Sequence, residues 1–263
     1  MTKVLMCHPR YFQTKHQLNP WIDVKQKVNR EKAIYQWQKL RRLIENFLGV
    51  ETVSIEPKKG FLDLVFSADA GVLHHRNFVQ ANFYHPQRER EGKIYSQWFK
   101  KNGYQLYQLS NGFSFEGGDF LFHQEKILAG WGFRTTKKAH QKIAKLFGKK
   151  VISLKLISPY FYHLDMALCV LDKKTAVFYP QAFTDGSCQL IKKIFPNLIT
   201  AEKEEAFNFC LNSLVCQKKI ISPQGLKGLA TRFTLLGFQV KEIDVSEFKK
   251  AGGAVHCLIK PIN

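Results

Sequence analysis

The sequence predicts an α/β domain built from repeated strand–strand–helix–strand units, and three observations predict it. Apolar or alternating runs recur along the chain: "KVLMC", "FLDLVFSADAGVL", "DFLFHQEKILAGWG", "HLDMALCVLDKKTAVFYP", "NSLVCQKKIISP" and "AVHCLIKPI". Three of them fold back as hairpins, "FLFHQEKILAG", "ALCVLDKKTAVFY" and "SLVCQKKIIS", whose polar turns near Gln124, Lys173 and Gln217 are roughly 45 to 50 residues apart. Stretches with helical spacing fall between the strand pairs.

Taken in order, "KVLMC" reads as a first strand, and "REKAIYQWQKLRRLIENFLG" as a helix that stops at Gly49. "KKAHQKIAKLFG" is a second helix with Gly148 as its stop, and "PQGLKGLATRFTLLGF" a third ending at Gly237. No low-complexity linker or composition shift interrupts this order, so residues 1–263 are expected to form a single domain with about five pseudo-symmetric units. A fold of this kind does not name a function.

Composition narrows the classes. Hydrophobic residues make up 45% and charged residues 23%, with 22 Phe against 4 Trp, which fits a globular chain with an aromatic core. The six cysteines (Cys7, Cys169, Cys188, Cys210, Cys216 and Cys257) form no CxxC pair, so a zinc site of the finger or ribbon type is not expected. His74 and His75 are chain neighbours that point apart, and no second pair has ligand spacing, so no metal is expected either. The apolar run before His8 and Pro9 is too short for a signal peptide, and no membrane-spanning run occurs. These features point to a cytoplasmic chain with reduced thiols. The net charge of +19 is compatible with a nucleic-acid partner. Its lysines are nevertheless scattered in short clusters such as "PKKG", "DKKT" and "FKKAGG", the pattern of a solvated basic surface.

Four segments carry polar residues where a plain core reading has no use for them. "VFSADAG" places Asp69 at the end of an apolar run, and "FSFEGGDFLF" sets Glu116 and Asp119 on either side of two glycines. In "SPYFYHLDMALCV" His163 and Asp165 stand two apart at the expected start of a strand, where they share a face. "KKAGGAVHCLIKPI" leads through two glycines to Cys257 at the mouth of the last strand. Two glycines permit a tight turn that brings both flanking carboxylates toward one small ligand. Carboxylates at the edge of apolar segments call for a cation. A cysteine with a histidine is a nucleophile with its proton shuttle, and a cluster of carboxylates suits the planar donor fork of a guanidinium.

In that order, "VLMCHPRYF…QLNPWID", "FEGGD", "HLD" and "GGAVHC" resemble the blocks of the guanidine-modifying enzymes of the pentein superfamily, from about Val4 to Pro261. That group contains arginine deiminases, dimethylarginine dimethylaminohydrolases, arginine dihydrolases and amidinotransferases. The resemblance implies a five-bladed αβ propeller of ββαβ modules around a polar central site, with no cofactor and an arginine-like small molecule as partner. It implies Cys257 as the nucleophile forming a thiouronium adduct, His163 as acid and then base, and Glu116 as the acid that binds substrate and steadies the histidine. Asp69, Asp119 and Asp165 would grip guanidinium nitrogens, and Arg134 in "AGWGFRTT" and Arg88 in "HPQRERE" would fork onto a substrate carboxylate. Asn19 in "LNPW" resembles a substrate-contacting residue of the dihydrolase branch.

The branch signals diverge. Dihydrolases of this type carry Asn where this chain has Asp69, which leans toward single hydrolysis to citrulline, and "HLD" resembles the deiminase block. Full-length arginine deiminases, however, carry a helical insertion for which this chain has no room. Two readings from other classes stand beside hydrolysis. An amidinotransferase would pass the same adduct to an amine, and a non-catalytic basic pentein would bind ribosomes or RNA. Nothing about a binding module accounts for Cys257, His163 and Glu116 together.

Overall fold

A computed structural model describes residues 1–110 and 112–262. Its strands pair into five sheets of three. In chain order these are β1 (Lys3–Cys7) and β2 (Glu51–Ile55), then β3 (Gly71–His74), β4 (Asn77–Gln80) and β5 (Gln105–Tyr107). Next come β6 (Phe120–His123), β7 (Lys126–Trp131) and β8 (Lys150–Lys155), followed by β9 (Leu168–Val170), β10 (Thr175–Phe178) and β11 (Asn197–Thr200). The last are β12 (Leu214–Cys216), β13 (Lys219–Pro223), β14 (Gln239–Ile243) and β15 (Ile259–Ile262).

Each sheet follows one rule: a middle strand pairs antiparallel with a hairpin partner and parallel with the strand that follows a helical crossover. A parallel neighbour cannot be reached by a tight turn, which is why a helix must intervene. The crossover helices are α1 (Arg30–Leu43), α2 (Glu89–Lys101), α3 (Lys137–Phe147), α4 (Asp185–Ile194) and α6 (Gly228–Leu235); the short α5 (Lys203–Phe207) and α7 (Ser246–Lys249) lie outside the rule. In four modules the hairpin partner precedes the middle strand in sequence, whereas in the first it is β15, returning from the far end of the chain to pair Lys3 with Ile262. The result is a closed ring of ββαβ modules, the five-bladed αβ propeller.

The hairpin turns at Gln124 and Gln217 are two-residue connections in which the first residue takes a positive φ, 53° and 55°, and His75 does the same at 51°. The helical stops hold for Gly49 and Gly148, both left-handed C-caps. The third predicted helix starts later than its pattern suggested: Pro223 ends β13 and the helix begins at Gly228. Apolar faces of the crossover helices pack on the sheets, burying Trp37 and Leu40 in α1, Tyr95 and Phe99 in α2, and Ile143 in α3. No helix among the described residues is long and apolar enough to cross a membrane.

Candidate active site

The ring places one equivalent segment of every module at its axis, the loop that leads into the hairpin partner strand. Asp69 lies in the 3-10 turn Ser67–Ala70 before β3, and Glu116 precedes the turn Gly117–Asp119 before β6. His163 precedes the turn Leu164–Met166 before β9, Asn212 lies just before β12, and Cys257 just before β15. These five are 47, 47, 49 and 45 residues apart in sequence. This is why a reactive thiol sits at the chain's end: β15 completes the first module, and its leading loop is that module's contribution to the centre.

The buried polar side chains there form one charge network. His163 Nε2 lies 3.0 Å from Glu116 Oε2, and its Nδ1 lies 3.4 Å from Asp69 Oδ1. Arg88 donates to Asp69 Oδ2 at 2.8 Å and to Glu91 Oε2 at 3.0 Å, while Arg134 NH1 is 3.5 Å from Glu116 Oε1. The Tyr84 amide also donates to Glu116 Oε1, at 3.1 Å. Burial alone would push the Glu116 carboxyl up, but Arg134, the hydrogen bond from His163 and Arg88 outweigh it and hold it below the usual range. His163 shows the converse balance: burial disfavours its charge, yet Asp69, the Glu116 hydrogen bond and Asp119 raise it to about 9. The imidazole is therefore an imidazolium at neutral pH. Asp69, Glu116 and His163 bring ligand-capable atoms within 4.8 Å of one another, but Arg88 and Arg134 balance the two carboxylates.

Cys257 is buried beside this network. The Asn212 amide donates to its sulfur at 3.2 Å, and Asn212 Oδ1 accepts the Cys257 backbone N–H at 3.2 Å. Asp165 Oδ2 lies 3.7 Å from the sulfur, and the Cys257 carbonyl accepts from Ala68 N. Burial, then Asp165 and Asp69, push the thiol well above its ordinary range, which favours the neutral thiol. Lys260, on β15, donates to the carbonyls of Ala68 at 2.5 Å and Gly71 at 2.6 Å and so fixes the turn that carries Asp69.

A pocket leads to the sulfur. Asn19, Asp63, Asp69, Arg88, Arg134, Tyr162 and Cys257 line it, and its free volume is about 10 Å³. Asn19 Nδ2 donates to the Ala251 carbonyl at 3.0 Å and to Tyr162 Oη at 3.3 Å, and Arg134 stacks over the Tyr162 ring at 4.6 Å while donating to the Leu18 carbonyl at 2.7 Å. The two glycines before the cysteine permit this packing. A Cβ on Gly252 (φ 82°) would sit 2.8 Å from Asn19 and Tyr162, and one on Gly253 would meet the Phe66 ring at 2.2 Å.

Three expectations need correction. His163 and Asp165 do not share a strand face: the residues between and after them form a 3-10 turn, so His163 turns to Glu116 and Asp69 while Asp165 turns to Cys257 and His256. Neither Asp119 nor Glu116 lines the pocket. Asp119 Oδ1 accepts the Leu164 N–H at 3.0 Å and the Cβ position of Gly130 lies only 2.4 Å from it, so Asp119 braces the turn that follows His163. Arg88, expected to fork onto a substrate carboxylate, is 5% exposed and already paired with Asp69 and Glu91. Sequence reading missed Asn212, Asp63, His256 and Lys260. The roughly 48-residue spacing of the site loops pointed to Asn212, one step beyond His163.

Comparison with known proteins places this geometry in a family. The family profile "N,N dimethylarginine dimethylhydrolase, eukaryotic" matches residues 8–263. The chain belongs to this family. It is similar to the N(G),N(G)-dimethylarginine dimethylaminohydrolase of Mycobacterium tuberculosis, 37% identical over 253 residues that cover 96% of this chain and 83% of that one. It is also 37% identical over 262 residues to the bifunctional arginine dihydrolase/ornithine cyclodeaminase ArgZ of Synechocystis, covering 97% of this chain but only 37% of that protein. The crystal structure of the N-terminal domain of ArgZ bound to product superposes with a TM-score of 0.95 at 35% identity, covering 99% of this chain and 97% of that domain. The dimethylaminohydrolase of Pseudomonas aeruginosa, at 19% identity and a TM-score of 0.83 over 98% of both chains, shares the fold.

Proposed function

We propose that this protein hydrolyses a guanidino C–N bond of arginine or an N-methylated arginine, with Cys257 as the nucleophile. The observation that carries this reading is a buried thiol between an amide donor and a carboxylate, facing a ring of acids that also holds an imidazolium. The relatives' names and the ArgZ complexes support the same chemistry.

The charges assign an order to the steps. Burial, then Asp165 and Asp69, raise the Cys257 thiol, and a guanidinium beside these carboxylates offsets their part of that effect. Each carboxylate–guanidinium contact at about 4 Å is worth roughly 4 kcal/mol before desolvation, at an effective dielectric near 20. Ionisation of the thiol, with its proton passing to solvent because His163 is already protonated, thus waits for the cation. The thiolate adds to the guanidinium carbon with help from the Asn212 amide. As the C–N bond breaks, its electron pair leaves with the nitrogen, which takes a proton from His163 and departs as an amine. A thiouronium remains on Cys257. Water, losing a proton to the now neutral His163, adds to that carbon; the C–S bond breaks with its electron pair going to sulfur, the new hydroxyl gives its proton to that sulfur, and Cys257 returns as the thiol beside a ureido group. Arg134, Arg88 and Asp63 line the pocket, which supports a substrate with an α-carboxylate and an α-ammonium; hydrolysis of one C–N bond of such a substrate gives citrulline.

A second round of hydrolysis would give ornithine, the reading favoured by the likeness to the ArgZ dihydrolase domain. Asp69 is the residue that argues for stopping after one bond. The test is mass-spectrometric product analysis with arginine, mono- and dimethylarginine, agmatine and guanidinoacetate, using Cys257→Ala as control. Cys257-dependent citrulline supports the reading, ornithine moves it to the dihydrolase branch, and turnover by Cys257→Ala or consumption of none of the substrates overturns it.

A further inference from the structure

Asp165 stands between two spaces. The substrate pocket holds Cys257 on one side. On the other lies a cavity of about 300 Å³, lined by Asp165, His256, Lys260, Ser213, Cys169 and Met1 among others. Neighbouring residues straddle the partition: Ala68 and His256 face the far cavity, while Asp69 and Cys257 face the pocket. His256 Nδ1 lies 2.9 Å from Asp165 Oδ2, the same oxygen that is 3.7 Å from the Cys257 sulfur. Asp165 Oδ1 is buried without a hydrogen-bond partner, although the carboxylate is 2% exposed. The His256 side chain keeps 25% of its surface exposed. The reaction as written gives His256 nothing to do.

We infer that His256 sets the ionisation of Cys257 from the side opposite substrate entry, by supplying Asp165 with a countercharge that solvent in the far cavity delivers or removes. A bare carboxylate beside the sulfur opposes the thiolate, and Asp165 is a main electrostatic cause of the raised thiol. An imidazolium bonded to that carboxylate cancels the opposition, whereas a neutral imidazole or an amide does not. The proton that charges His256 comes from solvent and returns to it, so no substrate proton is involved. The other ionisable residues that line the cavity with His256 and Asp165 are Met1, Lys260 and Cys169, and Cys257 is its chain neighbour. The Lys260 ammonium is tied to the carbonyls of Ala68 and Gly71 and is not bonded to Asp165. His256 acts through Asp165, so it is a positioning residue.

This inference rests on Cys257 being the nucleophile, but its test needs no substrate. Alkylation of Cys257 by iodoacetamide is followed on its peptide by mass spectrometry across pH, in wild type, His256→Gln, Asp165→Asn and the double variant. His256→Gln is expected to slow alkylation about tenfold at acidic pH, the difference from wild type vanishing at alkaline pH. Asp165→Asn is expected to speed it, and in that background His256→Gln should change nothing. His256→Lys, which carries a charge of its own, should alkylate at least as fast as wild type above neutral pH. Equal rates in wild type and His256→Gln overturn the inference, as does an equal slowing with and without Asp165, since that marks lost packing. Intact coupling without turnover of any guanidine would instead defeat the proposed function alone.

Discussion

Replacing Glu116 with glutamine removes one negative charge from the centre of the site and keeps its shape. The glutamine carbonyl can still accept the Tyr84 N–H, now 3.1 Å from Oε1, but the charged contacts to His163 at 3.0 Å and Arg134 at 3.5 Å are lost. Burial opposes the His163 charge, and Asp69, Glu116 and Asp119 together lift it to about 9. A hydrogen bond to a charged group contributes about 1.5–3 kcal/mol, so its loss should bring His163 down by roughly one to two pH units. Histidine NMR titration reads this directly. The alkaline limb of kcat, where the leaving nitrogen loses its acid, should move down by the same amount. Stability follows the same group. A histidine raised from 6.5 to about 9 stabilises the fold fully below 6.5 and loses that contribution as pH rises through 9, up to about 3 kcal/mol. In Glu116→Gln that loss should begin and end at lower pH and be smaller. If His163 titrates alike in the variant and the wild type, Glu116 does not hold its proton and the assignment of the acid fails.

Other perturbations follow from the same geometry. Burial pushes Asp119 up to about 7, so the folded state binds its proton more tightly than the unfolded chain, and stability drains away as pH rises from 3.8 through 7. Asp119→Asn keeps an acceptor for Leu164 N–H and should be more stable than wild type in urea by at least about 1 kcal/mol at pH 8, the gain shrinking toward pH 5; equal stabilities throughout would contradict this. Gly117→Ala places a Cβ 2.1 Å from the Ala68 carbonyl and 2.2 Å from that of Gly71, both backbone atoms that Lys260 holds, so a loss of about 3 kcal/mol is expected in denaturant unfolding, and a silent variant would refute the close approach. Because the chain carries a net charge of +19, kcat/KM for a cationic guanidine should rise with added salt, with screening over about 8 Å at physiological ionic strength; a flat or falling dependence would show that the local acids dominate the approach.

The propeller was legible because its repeat is written in strand and turn chemistry. Gln124 and Gln217 sit at two-residue turns, Gly49 and Gly148 stop helices, and all four stand where pattern reading put them. Closure of the ring was not legible in this way, since nothing local in "CLIKPI" states that it pairs with "KVLMC". The polar outliers Asp69, Glu116, His163 and Cys257 do converge on the axis, because each occupies the same loop of its own module. What their side chains touch depended on turn geometry. A 3-10 turn instead of a strand sent Asp165 to Cys257 and His256, and backbone contact with Leu164 turned Asp119 into a brace. Asn212 has no charge to mark it in a run of ordinary residues, and Lys260 looked like one more lysine among forty basic residues.

The central claim is that Cys257 carries the guanidino carbon as a covalent adduct. The most direct measurement is acid quenching during turnover of the guanidine pool, followed by mass spectrometry of the Cys257 peptide. An added mass matching the thiouronium on Cys257, appearing before the ureido product and absent from Cys257→Ala, is the expected result. Product formation with Cys257 unmodified at every quench time, or the same product from Cys257→Ala, would contradict the account.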